Sequence, residues 1–243
     1  MIKAVLFDLD GTLLPIDMDD FLISYLQLLA HKMEKYLEPE VFVHELLAAT
    51  EAMIKSNDYQ KTNAEVFKEA FFAATGLDEK ELMPVFEDFY LHEYGSLGKK
   101  YKPIPIVRKI IDLLKERGYI LVLATNPLFP LIAIEQRIKW AGVDPEAFDL
   151  ITTYENMHAT KPNPHYYQEI MEIIKVVPEH CLMVGNDVEE DLVAKTLGMQ
   201  TFLVEDHMLN RKNLPIVTDY QGKLEILLDF VSNLGGVKDF NEF

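Results

Sequence analysis

The sequence predicts an α/β protein: a parallel sheet with helices on both faces, interrupted after its first strand by an all-helical second domain. Three observations predict it. Short aliphatic runs at 2–7, 119–124, 148–152, 181–184 and 201–204 have the length and composition of buried strands. Segments of helical periodicity separate the last four of them, and strands alternating with helices imply a parallel sheet. Between 16 and 97 the spacings are helical and no convincing strand occurs. The expected layout is a core of residues 1–15 and 98–243 with a helical domain at 16–97.

Taken in order, the first strand is ended by Asp8 and Gly11. Asp17 or Asp19 could cap a helix whose apolar positions are Phe21, Tyr25, Leu28 and Leu29. Pro39 opens a second helix with Phe42, Leu46, Leu47 and Met53 on one face. A third is expected at 63–74, stopped by Gly76. A fourth is expected at 78–94, where Pro84 suggests a break or a late start. The stiff connector Lys102-Pro103-Ile104-Pro105 returns the chain to the core. Helices are then expected at 106–117, 128–140, 164–175, 189–197 and 220–234, with a tail after Gly236 that frays. Pro15-Ile16 and the connector are the expected hinges of a closing helical domain.

With 243 residues and 49% hydrophobic content the chain can bury one large core or two smaller ones. Its net charge of −17 does not suit nucleic-acid binding or an anionic membrane surface. An acidic protein that handles an anionic substrate needs a metal ion or a few placed cations. The one cysteine, Cys181, lies in an apolar run and reads as a buried structural thiol. The N-terminus does not read as a signal peptide and no run approaches a membrane span, so a cytoplasmic location is expected.

Ligands of open parallel sheets bind at the carboxyl ends of the strands. Asp8 and Asp10 follow the first strand, Thr125 and Asn126 the second, Lys161 the third, and Asn186, Asp187 and Asp191 the fourth. Asp8 and Asp10, two apart, repel and need a cation or a proton between them. Mg²⁺ fits because it prefers oxygen ligands, and Asp187 and Asp191 could complete its shell. Lys161 is the available counter-charge for a phosphate. Thr125 and Asn126, at a helix start, form an anion site or a simple N-cap. Each residue alone also has a bland structural explanation; four aspartates at one sheet edge do not share one.

Asp8-Leu9-Asp10-Gly11-Thr12-Leu13 resembles the signature of the haloacid dehalogenase-like hydrolase superfamily. Its further motifs follow in order as Thr125-Asn126, Lys161-Pro162 and Gly185-Asn186-Asp187 through Asp191, and the helical insert resembles that superfamily's helical cap. The resemblance implies a Rossmann-like core and a Mg²⁺-dependent phosphomonoester hydrolase acting on a small phosphorylated metabolite through an aspartyl-phosphate. Asp8 resembles the nucleophile and Asp10 the general acid. Thr125 and Asn126 resemble the phosphate-binding position, and Lys161 the lysine that steadies nucleophile and phosphoryl group. Asp8, the main-chain carbonyl of Asp10 and the fourth motif resemble the metal site. Asp10 favours phosphoryl transfer, because dehalogenase members usually lack an aspartate there. The fourth motif departs from the common Gly-Asp. Either Asp187 is the acidic ligand or Asn186 is a neutral one. Asp187 is preferred for its charge, with Asp191 acting through water or orienting its neighbours. The alternatives are a phosphomutase and a non-catalytic phosphate-binding protein.

Overall fold

The computed structural model describes residues 1–237. β1 (Ala4–Phe7) leads into four helices, α1 (Met18–Met33), α2 (Pro39–Lys55), α3 (Asn63–Thr75) and α4 (Glu79–His92), and a 3-10 segment, Tyr94–Lys100. The chain then alternates through α5 (Pro105–Glu116), β2 (Ile120–Leu123), α6 (Leu131–Trp140), β3 (Leu150–Ile151), α7 (Pro164–Ile174), β4 (Cys181–Gly185) and β5 (Gln200–Val204). It closes with β6 (Tyr220–Gly222) and α8 (Leu224–Ser232). All strand pairs are parallel, in the order β3-β2-β1-β4-β5-β6.

The strands are apolar on both faces because both faces are covered. Val5, Phe7, Leu121, Leu123, Leu182 and Val184 pack with α5, α6 and α8, in a cluster that continues into α1, α2 and α4. Ala4, Leu6, Val122, Cys181 and Met183 pack on the other face with Tyr166, Tyr167 and Ile170 of α7. Cys181 is fully buried, and burial pushes its thiol up to about 12, in accord with a structural role.

Three of the four helices of the insertion have a side-chain N-cap, and α2 opens on Pro39 without one. Asp17, rather than Asp19, caps α1, accepting from the amides of Asp19 and Asp20. Thr62 and Glu65 form a capping box at α3, and Gly76 closes that helix with φ 68°. The start of α3 is tied to the core: Asn63 Nδ2 donates to the carbonyls of Ala159 (3.1 Å) and Pro127 (3.4 Å), and its backbone N–H to Met157 O at 2.8 Å.

Five expectations are corrected. Pro84 neither breaks nor delays α4, which runs through it; burial of Leu82, Phe86, Phe89 and Tyr90 offsets the missing N–H. The helix placed at 189–197 is only a 3-10 turn, Leu192–Leu197, because Asp187 Oδ1 caps the amides of Glu189 and Glu190 and holds them in a turn. α6 starts at Leu131, after Pro127 and Pro130, and not at 128. β3 is two residues long. The segment at 220 opens as an edge strand, whose Tyr-Gln-Gly sequence carries no apolar alternation to announce it. The tail beyond 237 lies outside the described residues.

Candidate active site

β1 lies mid-sheet, with β2 on one side and β4 on the other, so the carboxyl ends of these three strands converge. The ladder extends one residue past β1, where the amide of Asp8 donates to Val184 O at 2.9 Å. One pocket there is lined by Asp8, Asp10, Thr125, Asn126, Asn186 and Asp187, six of the eight expected site residues. The other two, Lys161 and Asp191, are buried behind it.

Lys161 is the hinge of the charge arrangement. Its Nζ donates to Asp191 Oδ1 at 2.7 Å and to Asp8 Oδ1 at 2.9 Å. Burial opposes its charge, but the carboxylates of Asp191 and Asp8 outweigh that and hold its pKa well above the ordinary value. The Lys161-Pro162 peptide is cis. The other carboxylate oxygen of Asp8 accepts from the Thr12 hydroxyl at 3.2 Å. The same hydroxyl lies 2.9 Å from Asn186 Oδ1, so its one proton is shared between the two acceptors, while Asn186 Nδ2 donates to His207 O at 2.6 Å. The turn that brings Thr12 back toward Asp8 needs Gly11 in the left-handed region, at φ 84°; a Cβ there would meet Asn186 Nδ2 at 2.3 Å.

Asp191 does not reach the pocket. Its second oxygen accepts from the amide of Asp187 at 2.9 Å, and it rests on Gly185, where a Cβ would lie 2.1 Å from Oδ2. Its hydrogen bonds run to the Lys161 ammonium and the Asp187 amide. Asn126 is committed similarly: Oδ1 accepts from the Lys161 amide at 3.2 Å and Nδ2 donates to Glu190 Oε1 at 3.2 Å. Thr125 has its carbonyl fixed by Thr152 and Tyr166, both at 2.8 Å, with its side chain on the pocket wall. Asp187 Oδ2 pairs with the exposed Arg211 at 3.1 Å.

Three residues were not anticipated. Arg137 of α6 is buried and paired with Asp10. Its signal was present: it shares a helix face with Ala133, Ile134 and Ile138, where a charge is out of place. Burial pushes the Asp10 carboxyl upward, against the pull of Arg137. Glu190 also lines the pocket, and burial pushes it up to about 8. Arg211 comes from a loop far along the chain, and nothing in its sequence neighbourhood pointed to the site.

Among the described residues, no three His, Cys, Asp or Glu side chains form a group arranged to hold a metal ion. The donor chemistry nonetheless fits a hard divalent ion. Asp8, Asp10, Asn186 and Asp187 line one pocket, and carboxylate, amide and main-chain oxygens are the donor types such an ion takes. Such an ion completes its shell with carbonyl, water and substrate oxygens.

The comparison with known families decides the identity of this arrangement: the model described as haloacid dehalogenase-like hydrolase matches residues 2–197. The chain belongs to the haloacid dehalogenase-like hydrolases. It is thus an enzyme of a family whose hydrolases generally use a divalent metal. Pyrophosphatase PpaX from Bacillus mycoides (strain KBAB4) is 24% identical over 237 residues, covering 97% of this chain and 99% of that one. A HAD phosphatase from Thermococcus onnurineus superimposes with TM-score 0.59 at 23% identity, covering 97% of this chain and 100% of the other. L-2-haloacid dehalogenase from Xanthobacter autotrophicus gives TM-score 0.57 at 17% identity, with coverage of 97% and 100%. These two structural likenesses show the fold. Among the described residues no helix is long and apolar enough to cross a membrane.

Proposed function

We propose that this enzyme is a phosphomonoester hydrolase acting on small phosphorylated molecules through a phosphorylated Asp8. One observation carries the reading: Asp8 lines the pocket with its carboxylate held by the buried Lys161 ammonium and the Thr12 hydroxyl, and a second aspartate, Asp10, lines the same pocket. A carboxylate so fixed can attack phosphorus in line and form the acyl phosphate. Lys161 offsets the repulsion between the two anions. Asp10 donates a proton to the departing oxygen and then takes one from the water that opens the aspartyl-phosphate; its raised pKa suits the first half of that cycle. Thr125 and the main chain at Asn126 hold the phosphoryl oxygens.

In this reading Asp8, the Asp10 carbonyl and Asp187 hold Mg²⁺, with Asn186 and Asp191 in support. When bound, the ion neutralises charge on the transferring phosphoryl group. Residues 16–97 act as a cap over a core of 1–15 and 98–243; Met18, Asp19 and Leu22 of α1 already wall the pocket. A cytoplasmic setting belongs to the same proposal. The name of the Bacillus relatives adds pyrophosphate to the substrates worth testing.

The test is Mg²⁺-dependent release of p-nitrophenol from p-nitrophenyl phosphate, with Asp8→Asn as control and acetyl phosphate and pyrophosphate alongside. Turnover lost in Asp8→Asn supports the reading. A folded wild-type enzyme that hydrolyses none of the three refutes it. Isomerisation of a sugar phosphate with little free phosphate would mark a mutase instead.

A further inference from the structure

We propose that the natural ester carries an apolar leaving group, of the bulk of a two-ring aromatic or a branched alkyl chain, lodged in a cavity walled mainly by the helical insertion. This rests on the phosphatase reading above. The catalytic pocket is bounded on one side by Leu22, Leu128 and Phe129. The same three side chains line a second cavity, of about 270 Å³, between α1, α2, α3, α4 and the loop before α6. The two spaces share these three side chains as lining, which sets the cavity beside a group attached to a phosphate on Asp8.

The cavity's chemistry selects the occupant. Among the described residues, its lining other than Thr50 and Lys68 is aliphatic, methionine, proline or aromatic. The hydroxyls of Tyr25 and Tyr90 bond each other at 2.8 Å, which leaves their rings as the apolar surface. Lys68, the only charged residue among the described ones that line it, is paired with Glu79 at 3.4 Å. A polyhydroxylated leaving group would lose water here and gain few partners, since the Tyr154 hydroxyl, Thr50 and Lys68 are the polar groups of the lining beside the paired tyrosines. An apolar one would be fully matched, as in ligand sites generally. A cavity of roughly 150 Å³ suffices for benzene, so this one accepts a larger group. Pyrophosphate has nothing to place in it.

The test compares two primary alkyl esters of similar intrinsic reactivity, 2-(1-naphthyl)ethyl phosphate and glycerol 3-phosphate, with acetyl phosphate as a small donor. The expected kcat/KM ratio of the two esters is at least about 100 in favour of the naphthyl compound, since a single methylene in an apolar pocket is worth about 10–200-fold. Thr50→Trp, which fills the cavity, should bring that ratio toward one. Because this variant could misfold, a second measurement uses the wild type alone. Calorimetry should show 2-(1-naphthyl)ethylphosphonate binding more than about tenfold tighter than ethylphosphonate. Acetyl phosphate turnover with an ester ratio near or below one, or equal binding of the phosphonates, overturns the proposal while leaving the phosphatase reading intact. No turnover of any compound by the folded enzyme overturns both.

Discussion

Arg137 on α6 and Asp10 in the loop after β1 form a buried ion pair, the Nη1 of the guanidinium donating to Asp10 Oδ2. The guanidinium lies over the ring of Phe129, 4.5 Å from its centroid, and near that of Phe21, at 5.9 Å. Its Nε and Nη2 have no hydrogen-bond partner, so the aromatic faces are their environment. Phe21 belongs to α1. The pair therefore joins the proposed general acid to the helical insertion through one side chain.

Removing one member of a buried pair leaves the other uncompensated. Arg137→Met is expected to cost about 3–5 kcal/mol in chemical unfolding. Asp10→Asn/Arg137→Met should lose less than the sum of the single variants, because they share one interaction. Additive losses would show that the pair contributes nothing as a pair.

Asn186 is built into the site as an amide. Nδ2 donates to His207 O and Oδ1 accepts from Thr12. Asn186→Asp sets a carboxylate oxygen against a carbonyl oxygen and should cost about 1–3 kcal/mol without metal. A melting temperature equal to or above that of the wild type would refute this.

Glu190 is pushed up from 4.5 to about 8, chiefly by burial. The folded chain then keeps a proton that the unfolded chain has released, so this residue makes stability fall as pH rises from about 4.5 to 8. Glu190→Gln should flatten the decline of melting temperature across that window. An unchanged profile would assign the pH dependence to other groups.

Asn63 fastens the helical insertion to the core through the carbonyls of Ala159 and Pro127. Asn63→Ala leaves both buried acceptors without that donor, an expected loss of about 1–3 kcal/mol. Hydrogen exchange should rise first at the start of α3, where the Asn63 and Ala64 amides bond Met157 and Tyr154.

Chelation should abolish turnover, and Mg²⁺ should restore it. At a concentration about 100 times its Kd, Mg²⁺ should stabilise the folded enzyme by about 2.7 kcal/mol. Asp187→Asn should reduce that stabilisation; an equal gain in the variant would remove Asp187 from the metal site.

The α/β order, the four-helix insertion and the sheet edge where Asp8, Asp10, Thr125, Asn126, Asn186 and Asp187 meet were legible in the amino-acid order. Those features are local. A buried strand needs a continuous aliphatic run, a helix an apolar stripe, and a parallel sheet directs its strand ends to one side. Which partner each polar group takes depends on the folded arrangement. Lys161 bridges Asp8 to Asp191, and Asn126 grips the Lys161 peptide, across 153, 30 and 35 residues of chain. Arg137 stood in plain view on an apolar helix face, yet its partner lies 127 residues away. Hydrogen bonds and ion pairs act over a few ångströms in space, and neither composition nor periodicity carries that distance.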